Sequence, residues 1–239
     1  MDLMFGLAMV LGIGPALALL YGVVRKYTYP RVEQPFFSDA SLFFLFFIGL
    51  IEGSLVFFAM NVFHIASSMI MMILLATVQV MGMVVVMNLK RYRGKSDSVF
   101  YGYSLGLGMS SGMATGICYT MAAALEGQPI DASVVLLPVM AVTLGLILGA
   151  CGTNIGEGIA RHRVFEFTMQ ALMFLVAYNI VFTGMMMGGN DGGFMFYGCM
   201  ILMIVLSAGY FYYIMKLKLP HIVREVLRME GNQRNDIPK

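Results

Sequence analysis

The chain has 239 residues, 59% of them hydrophobic and 12% charged, with a mean hydropathy of +0.83. A soluble domain carries about 25% charged residues, so this composition excludes a soluble globule and points to an all-α integral membrane bundle. The net charge of +2 comes from short basic clusters between apolar stretches with no recognition motif, which excludes a nucleic-acid partner.

A helix needs about 20 apolar residues to cross a bilayer. Seven stretches meet this, at 3–24, 41–63, 66–88, 98–124, 132–156, 165–187 and 193–215. They form one transmembrane domain over 1–219, followed by a tail over 220–239. All 15 Lys and Arg residues fall in the first, third and fifth connections and after the seventh span. By the positive-inside rule, the N-terminus lies outside and the C-terminus in the cytoplasm of a multi-pass plasma-membrane protein. The first span has no basic residue before its apolar run, so it reads as a retained helix rather than a signal peptide.

That first span carries Gly12, Gly14 and Pro15, a sequence suited to a kink. The basic loop after it holds Tyr27, Tyr29, Phe36 and Phe37, which fit an interfacial aromatic belt. Ser38 and Asp39 are candidate N-caps for the second span. Glu52 stands near the middle of that span, flanked by Gly49 and Gly53. A charged, unpaired carboxylate there costs on the order of 3 kcal/mol or more, so Glu52 must face the bundle. Gln79 in the third span and Asn179 in the sixth are its predicted partners. The trio reads either as a proton or substrate site or as a neutral acid hydrogen-bonded to amides. A cluster of Asn61, His64, Ser67 and Ser68 separates the second span from the third.

In the fourth span Gly108, Gly112 and Gly116 recur every fourth residue, and Gly102 and Gly106 form a second pair. Residues four apart share a helix face, and a glycine face lets backbones approach closely in lipid. In the fifth span Gly145, Gly149, Gly152 and Gly156 define one face, the predicted partner of the fourth span's glycine face across the short turn EGQPID. Asn154 and Glu157 follow at its cytoplasmic end beside Arg161, His162 and Arg163, where solvated ion pairing is expected. Glu166 opens the sixth span, stabilised by the Arg pair and the helix N-terminus. GGNDGG reads as an outer turn. Past Pro220, Ile222, Val223, Val226 and Leu227 would line one side of a short helix lying on the membrane, and the last residues read as disordered.

Cys118, Cys151 and Cys199 lie in apolar spans without a CxxC spacing, so neither a disulfide framework nor a zinc site is indicated. No cofactor is indicated either, and the 24 methionines read as a reflection of the source organism's composition rather than as a soft surface for several partners. No HExxH or GxSxG motif is present. The last span holds no lysine in its middle, which excludes a retinal protein.

The fourth span resembles the glycine-repeat helix of the Aph-1 family, the seven-helix scaffold of gamma-secretase, and through it the PrsW-like membrane proteases. IGPALALLYGVVRKYTYP and FFIGLIEG are similar to the first two PrsW-like helices, and GYSLGLGMSSGMA is similar to their GLGFA-xx-EN segment. Aligned on Gly106 and Gly108, Met113 stands where that family's catalytic Glu would be and Ala114 where its Asn would be. The family's later histidines are not found in the fifth or sixth span. The resemblance therefore implies a non-catalytic scaffold or pseudo-protease, with other membrane proteins or helices packed against its glycine faces. Two alternatives stay open. One is a small-solute or proton transporter using Glu52, Gln79 and Asn179. The other is an active membrane peptidase drawing on Glu52, Glu157 or Glu166.

Overall fold

A computed structural model describes residues 3–28, 32, 36–124, 133–188 and 194–229. The turn EGQPID, the centre of GGNDGG, Tyr29 and the end of the tail lie outside the described residues. Among those described, all regular structure is helical: α1 (Leu3–Val24), α2 (Asp39–Val62), α3 (Met69–Met87), α4 (Ser98–Ala124), α5 (Ser133–Ala160), α6 (Val164–Gly188), α7 (Phe194–Tyr212) and α8 (Leu219–Met229). Six helices (α1, α2, α3, α5, α6 and α7) are long and apolar enough to cross a membrane, which marks a multi-pass membrane protein.

The exception is α4, long enough at 27 residues but less apolar. Its position explains the difference. Every residue from Ser98 to Ala114 is buried, so α4 is the axis of the bundle and meets protein on all sides, where α1, α2, α3, α6 and α7 each keep an exposed apolar face. α1, α2 and α5 surround it, while α6 and α7 pack on α5, and α3 leans mainly on α6. The hydroxyls that lower its hydropathy bond to backbone carbonyls: Ser104 Oγ donates to Leu42 O at 2.6 Å, Ser111 Oγ to Leu107 O at 2.9 Å and Tyr103 OH to Leu19 O at 2.9 Å. A buried hydroxyl with a carbonyl acceptor escapes the desolvation penalty of an unpaired one.

The glycines of α4 serve two neighbours. A Cβ on Gly108 would strike the carbonyl oxygen of Phe46, and one on Gly112 the carbonyl oxygen of Leu50, both on α2. Gly116 takes the ring of Phe57. Gly102 and Gly106 instead meet the backbone of α5 at Gly152 and Leu148, and Gly156 meets Ser98. Gly145 and Gly149 accommodate side chains of Leu19, Tyr103 and Leu107. The α5 glycine face thus pairs with Gly102 and Gly106, and the four-residue repeat of Gly108, Gly112 and Gly116 belongs to α2.

α1 runs unbroken through Pro15. α2 starts after Ser38, whose side chain makes no capping bond and whose N–H donates to Tyr101 OH at 3.1 Å. The 3-10 turn Ile65–Ser67 separates α2 from α3, so the split falls inside the polar cluster that suggested it. The described aromatics of the first basic loop do not form an interfacial belt. Tyr27, Phe36 and Phe37 are buried around Phe100, with ring centroids 5.0 to 6.3 Å apart. Apolar rings gain more from this enclosed packing at the end of α4 than from the wet interface.

α7 does not stop at the predicted edge. A π-helical turn over Tyr213–Lys218 carries it into α8. Pro220 supplies the reason: it has no N–H to donate one turn back, and its ring would crowd that carbonyl, so the preceding turn widens. Leu219, Ile222 and Val223 of α8 are buried. The side chains of Val226 and Leu227 lie outside the described residues.

Candidate functional site

Buried polar atoms without partners are where an apolar bundle departs from pure packing. Among the described residues seven such side-chain atoms occur: Glu52 Oε2, Gln79 Oε1, Asn154 Oδ1, Glu157 Oε2, Arg161 Nε, Thr168 Oγ1 and Tyr210 OH. They fall into two groups.

The first lies along α3 and contains the residues singled out in sequence. Glu52 on α2 reaches across to α3 at Gly82, where an added Cβ would strike its Oε1. Gly82 is thus the notch that admits the carboxyl. One turn away on the same helix, Gln79 donates from Nε2 to the sulfur of Met113 on α4 at 2.9 Å and leaves its own oxygen unpartnered. Asn179 on α6 donates from Nδ2 to Met72 O at 3.1 Å. The three residues therefore meet α3 at three levels, Met72, Gln79 and Gly82. At 1.5 Å per residue these are spaced by about 10 and about 5 Å, a strip rather than one cluster.

A cavity of about 260 Å³ sits at the end of this strip away from the basic loops. Met60, Asn61 and His64 line it from α2 and the turn after it, Ile117 and Thr120 from α4, and Phe182 from α6. Ile117 is one turn from Met113, and Phe182 is one turn from Asn179. The cavity thus lies one turn beyond Met113 and Asn179, at the Asn179 end of the strip that continues along α3 to Gln79 and Glu52. Both unpartnered atoms in the strip, Glu52 Oε2 and Gln79 Oε1, are oxygens able to accept. Chemically, the strip is short of hydrogen-bond donors.

The second group was read in sequence as solvated ion pairing, and the structure corrects that. Asn154 and Glu157 are buried, at 0% and 2% exposure. They project from α5 where α6, α7 and α8 close over them. Asn154 Nδ2 donates to Phe167 O at 3.1 Å and to Gln170 Oε1 at 3.3 Å. Arg161 bridges Glu157 at 3.0 Å and Glu225 of α8 at 2.6 Å. The continuation of α7 through the π turn brings Glu225 of α8 to Arg161 beside the buried Glu157, a long-range effect that the place of Glu157 at a helix end conceals. The exposed ion pair of this region is Arg163–Glu166 at 2.9 Å, on the first turn of α6 as expected.

The glycine faces of α4 and α5 are filled by this chain's own helices, as described above. Cys118, Cys151 and Cys199 are free thiols. No protein-family model, curated protein or solved structure matches the chain.

Proposed function

We propose that the chain is a non-catalytic plasma-membrane protein of seven spans, N-terminus outside and C-terminus cytoplasmic, that binds and passes a proton or small cationic solute along α3. The single observation behind this is the pair of donor-less oxygens, Glu52 Oε2 from α2 and Gln79 Oε1 of α3, which meet α3 one turn apart, with a cavity at the far end of the strip. A buried acceptor without a donor costs about 1–3 kcal/mol, and a proton, a hydronium or a small cation supplies what both lack. Glu52 is the group in the strip that can take up and release a proton; Gln79 and Asn179 orient the solute. α4, enclosed by its neighbours, counts as the seventh crossing, and the segregation of every Lys and Arg to alternate connections supports the orientation. Under the resemblance to PrsW-like proteins, Met113 occupies the catalytic acid's position. A thioether can accept the Gln79 amide but cannot perform acid–base chemistry.

The test is proton flux into liposomes carrying the purified protein and an internal pH dye. Wild-type protein and Glu166→Gln, altered at an exposed position, should pass protons under an imposed potential, and Glu52→Gln should not. Flux that is absent, or that is the same in Glu52→Gln, overturns the proposal.

A second reading is a scaffold of Aph-1-like type for other membrane helices. It is favoured by α1, where Gly6, Gly14 and Gly22 have no atom within 4 Å of an added Cβ. With Val10 and Ala18 they repeat every fourth residue on an exposed face. Copurification in mild detergent should retain a partner in wild type and lose it in Gly14→Leu. Equal retention argues against this reading.

A further inference from the structure

The bundle leaves a groove between α1 and α7 that the α3 strip does not use and that meets the exposed α1 face of the second reading only at Ala18 and Gly22. Both helices pack on α5, and toward the basic end a space of about 540 Å³ lies between them. Leu146 of α5 forms part of its floor, Ala18 and Gly22 lie on the α1 side, and Ala208, Phe211 and Met215 lie on the α7 side. Small residues keep it open: a Cβ on Gly22 would meet nothing within 4 Å. The slot follows α1 from Ala18 to its end, about 9 Å of helix.

Its two ends differ in chemistry. The deep part is apolar. The mouth carries Lys26, just past α1, and Lys216, inside the π turn, with Tyr27 and Tyr212 beside them. Both lysines are exposed, and the Lys216 ammonium lies 4.9 Å over the Tyr212 ring. Among the described residues no acidic one lines the groove. The π turn contributes directly, because it brings Met215 and Lys216 to the groove side together with Tyr212 and Leu219. π turns recur at functional sites for such re-aiming of side chains.

We infer that this groove is a binding site for an anionic phospholipid, with an acyl chain against Leu146 and Ala208 and the headgroup phosphate between Lys26 and Lys216. The inference rests on the placement of the bundle in a bilayer and not on passage through the α3 strip. A polar ligand would find no partner in the deep part, and an apolar helix would leave two ammonium groups without an anion. One molecule meets both demands: a hydrocarbon chain joined to a phosphate, at the depth where basic residues meet lipid headgroups.

The experiment is native mass spectrometry of the full-length protein, delipidated and then titrated with phosphatidylglycerol or phosphatidylcholine of matched chains. Wild type should retain one phosphatidylglycerol at protein concentrations where phosphatidylcholine is lost. Lys26→Gln combined with Lys216→Gln should weaken phosphatidylglycerol retention about tenfold or more. The control, Lys90→Gln combined with Lys95→Gln, removes the same charge from exposed positions outside the groove and should leave retention unchanged. Gly22→Phe, built into open space, should block retention while leaving helix content by circular dichroism intact. Equal retention of the two lipids, or loss of phosphatidylglycerol to the same extent in the control pair, overturns the inference. So does displacement of the lipid by millimolar inorganic phosphate, which would make the site one for a free anion. Copurification of a protein seated on this face in place of lipid overturns it as well.

Discussion

The contact between α2 and α4 makes a quantitative prediction about two facing glycines. A Cβ on Gly112 would run into the carbonyl oxygen of Leu50, with Ser54 N at 2.6 Å and Gly53 C at 3.0 Å. A Cβ on Gly53 would run into the carbonyl oxygen of Met109, with Met109 Cα at 2.9 Å. All these atoms are backbone, so no side chain can swing aside, and ordinary contact begins only near 3.4 Å. Either alanine must part the two helices by roughly 1 Å, and overpacking of this kind costs about 1–3 kcal/mol. Since both substitutions open the same gap, the second should cost less than the first. A coupling of about 0.5–3 kcal/mol is expected for contacting residues, so Gly53→Ala with Gly112→Ala should destabilise by less than the sum of the singles. Gly14→Ala is the control, since nothing lies within 4 Å of that position and its effect should stay within about 0.5 kcal/mol. The assay is reversible unfolding in mixed micelles, titrated with dodecyl sulfate and followed by far-UV circular dichroism. If Gly112→Ala matched Gly14→Ala, or if the two α2–α4 substitutions added strictly, the reasoning from backbone contact would be wrong.

Two further expectations concern the basic end. Arg161→Ala leaves the buried Glu157 carboxylate without its cation and should cost about 3–5 kcal/mol, whereas Glu225→Ala removes a half-exposed partner and should cost at most about 1 kcal/mol; equal losses in the same unfolding assay would refute the burial argument. Tyr27 is enclosed beside Phe100, and burial pushes its phenol up to about 12 from 10.0, opposed by the nearby Arg224 cation. The unfolded chain therefore loses the Tyr27 proton first, so the stabilisation is complete below pH 10 and disappears as pH rises from 10 to 12. Two units at 1.36 kcal/mol each give about 3 kcal/mol, and Tyr27→Phe should lessen the decline across that window by this amount in unfolding curves.

The helix pattern was legible because lipid imposes a simple rule on every outward-facing span: some 20 residues, apolar nearly all round. The predicted edges of α1 and α4 match the observed ones, and the polar break at Asn61–Ser68 became a turn. The acids were legible as residue types but not as environments. Glu52 had to turn inward because mid-span charge has nowhere else to go. Glu157 offered no such signal, since a carboxylate near a helix end beside two arginines looks solvated in sequence. Its partner Arg161 also reaches Glu225 beyond the π turn, a contact 64 residues away in sequence that no local pattern records.

The glycine stripes hold one more step that sequence alone permits. Gly106 and Gly108 are two residues apart, and at 100° per residue that places their stripes about 200° apart, on opposite sides of α4. A helix with small residues on opposite sides is built to be pressed from both, and it receives α2 on one and α5 on the other. The same fact explains why α4 is the least apolar of the seven long helices. Between lipid tails and leucine there is no hydrophobic difference, so burial inside a membrane bundle is not driven by apolarity. It is driven by how closely backbones can approach and by whether each hydroxyl finds a carbonyl. Ser104 on Leu42 O and Tyr103 on Leu19 O meet that second condition for α4. Glu52 and Gln79 leave it unmet on the neighbouring helices, so the donor-less strip is a property of α2 and α3 that the packing around α4 does not repair.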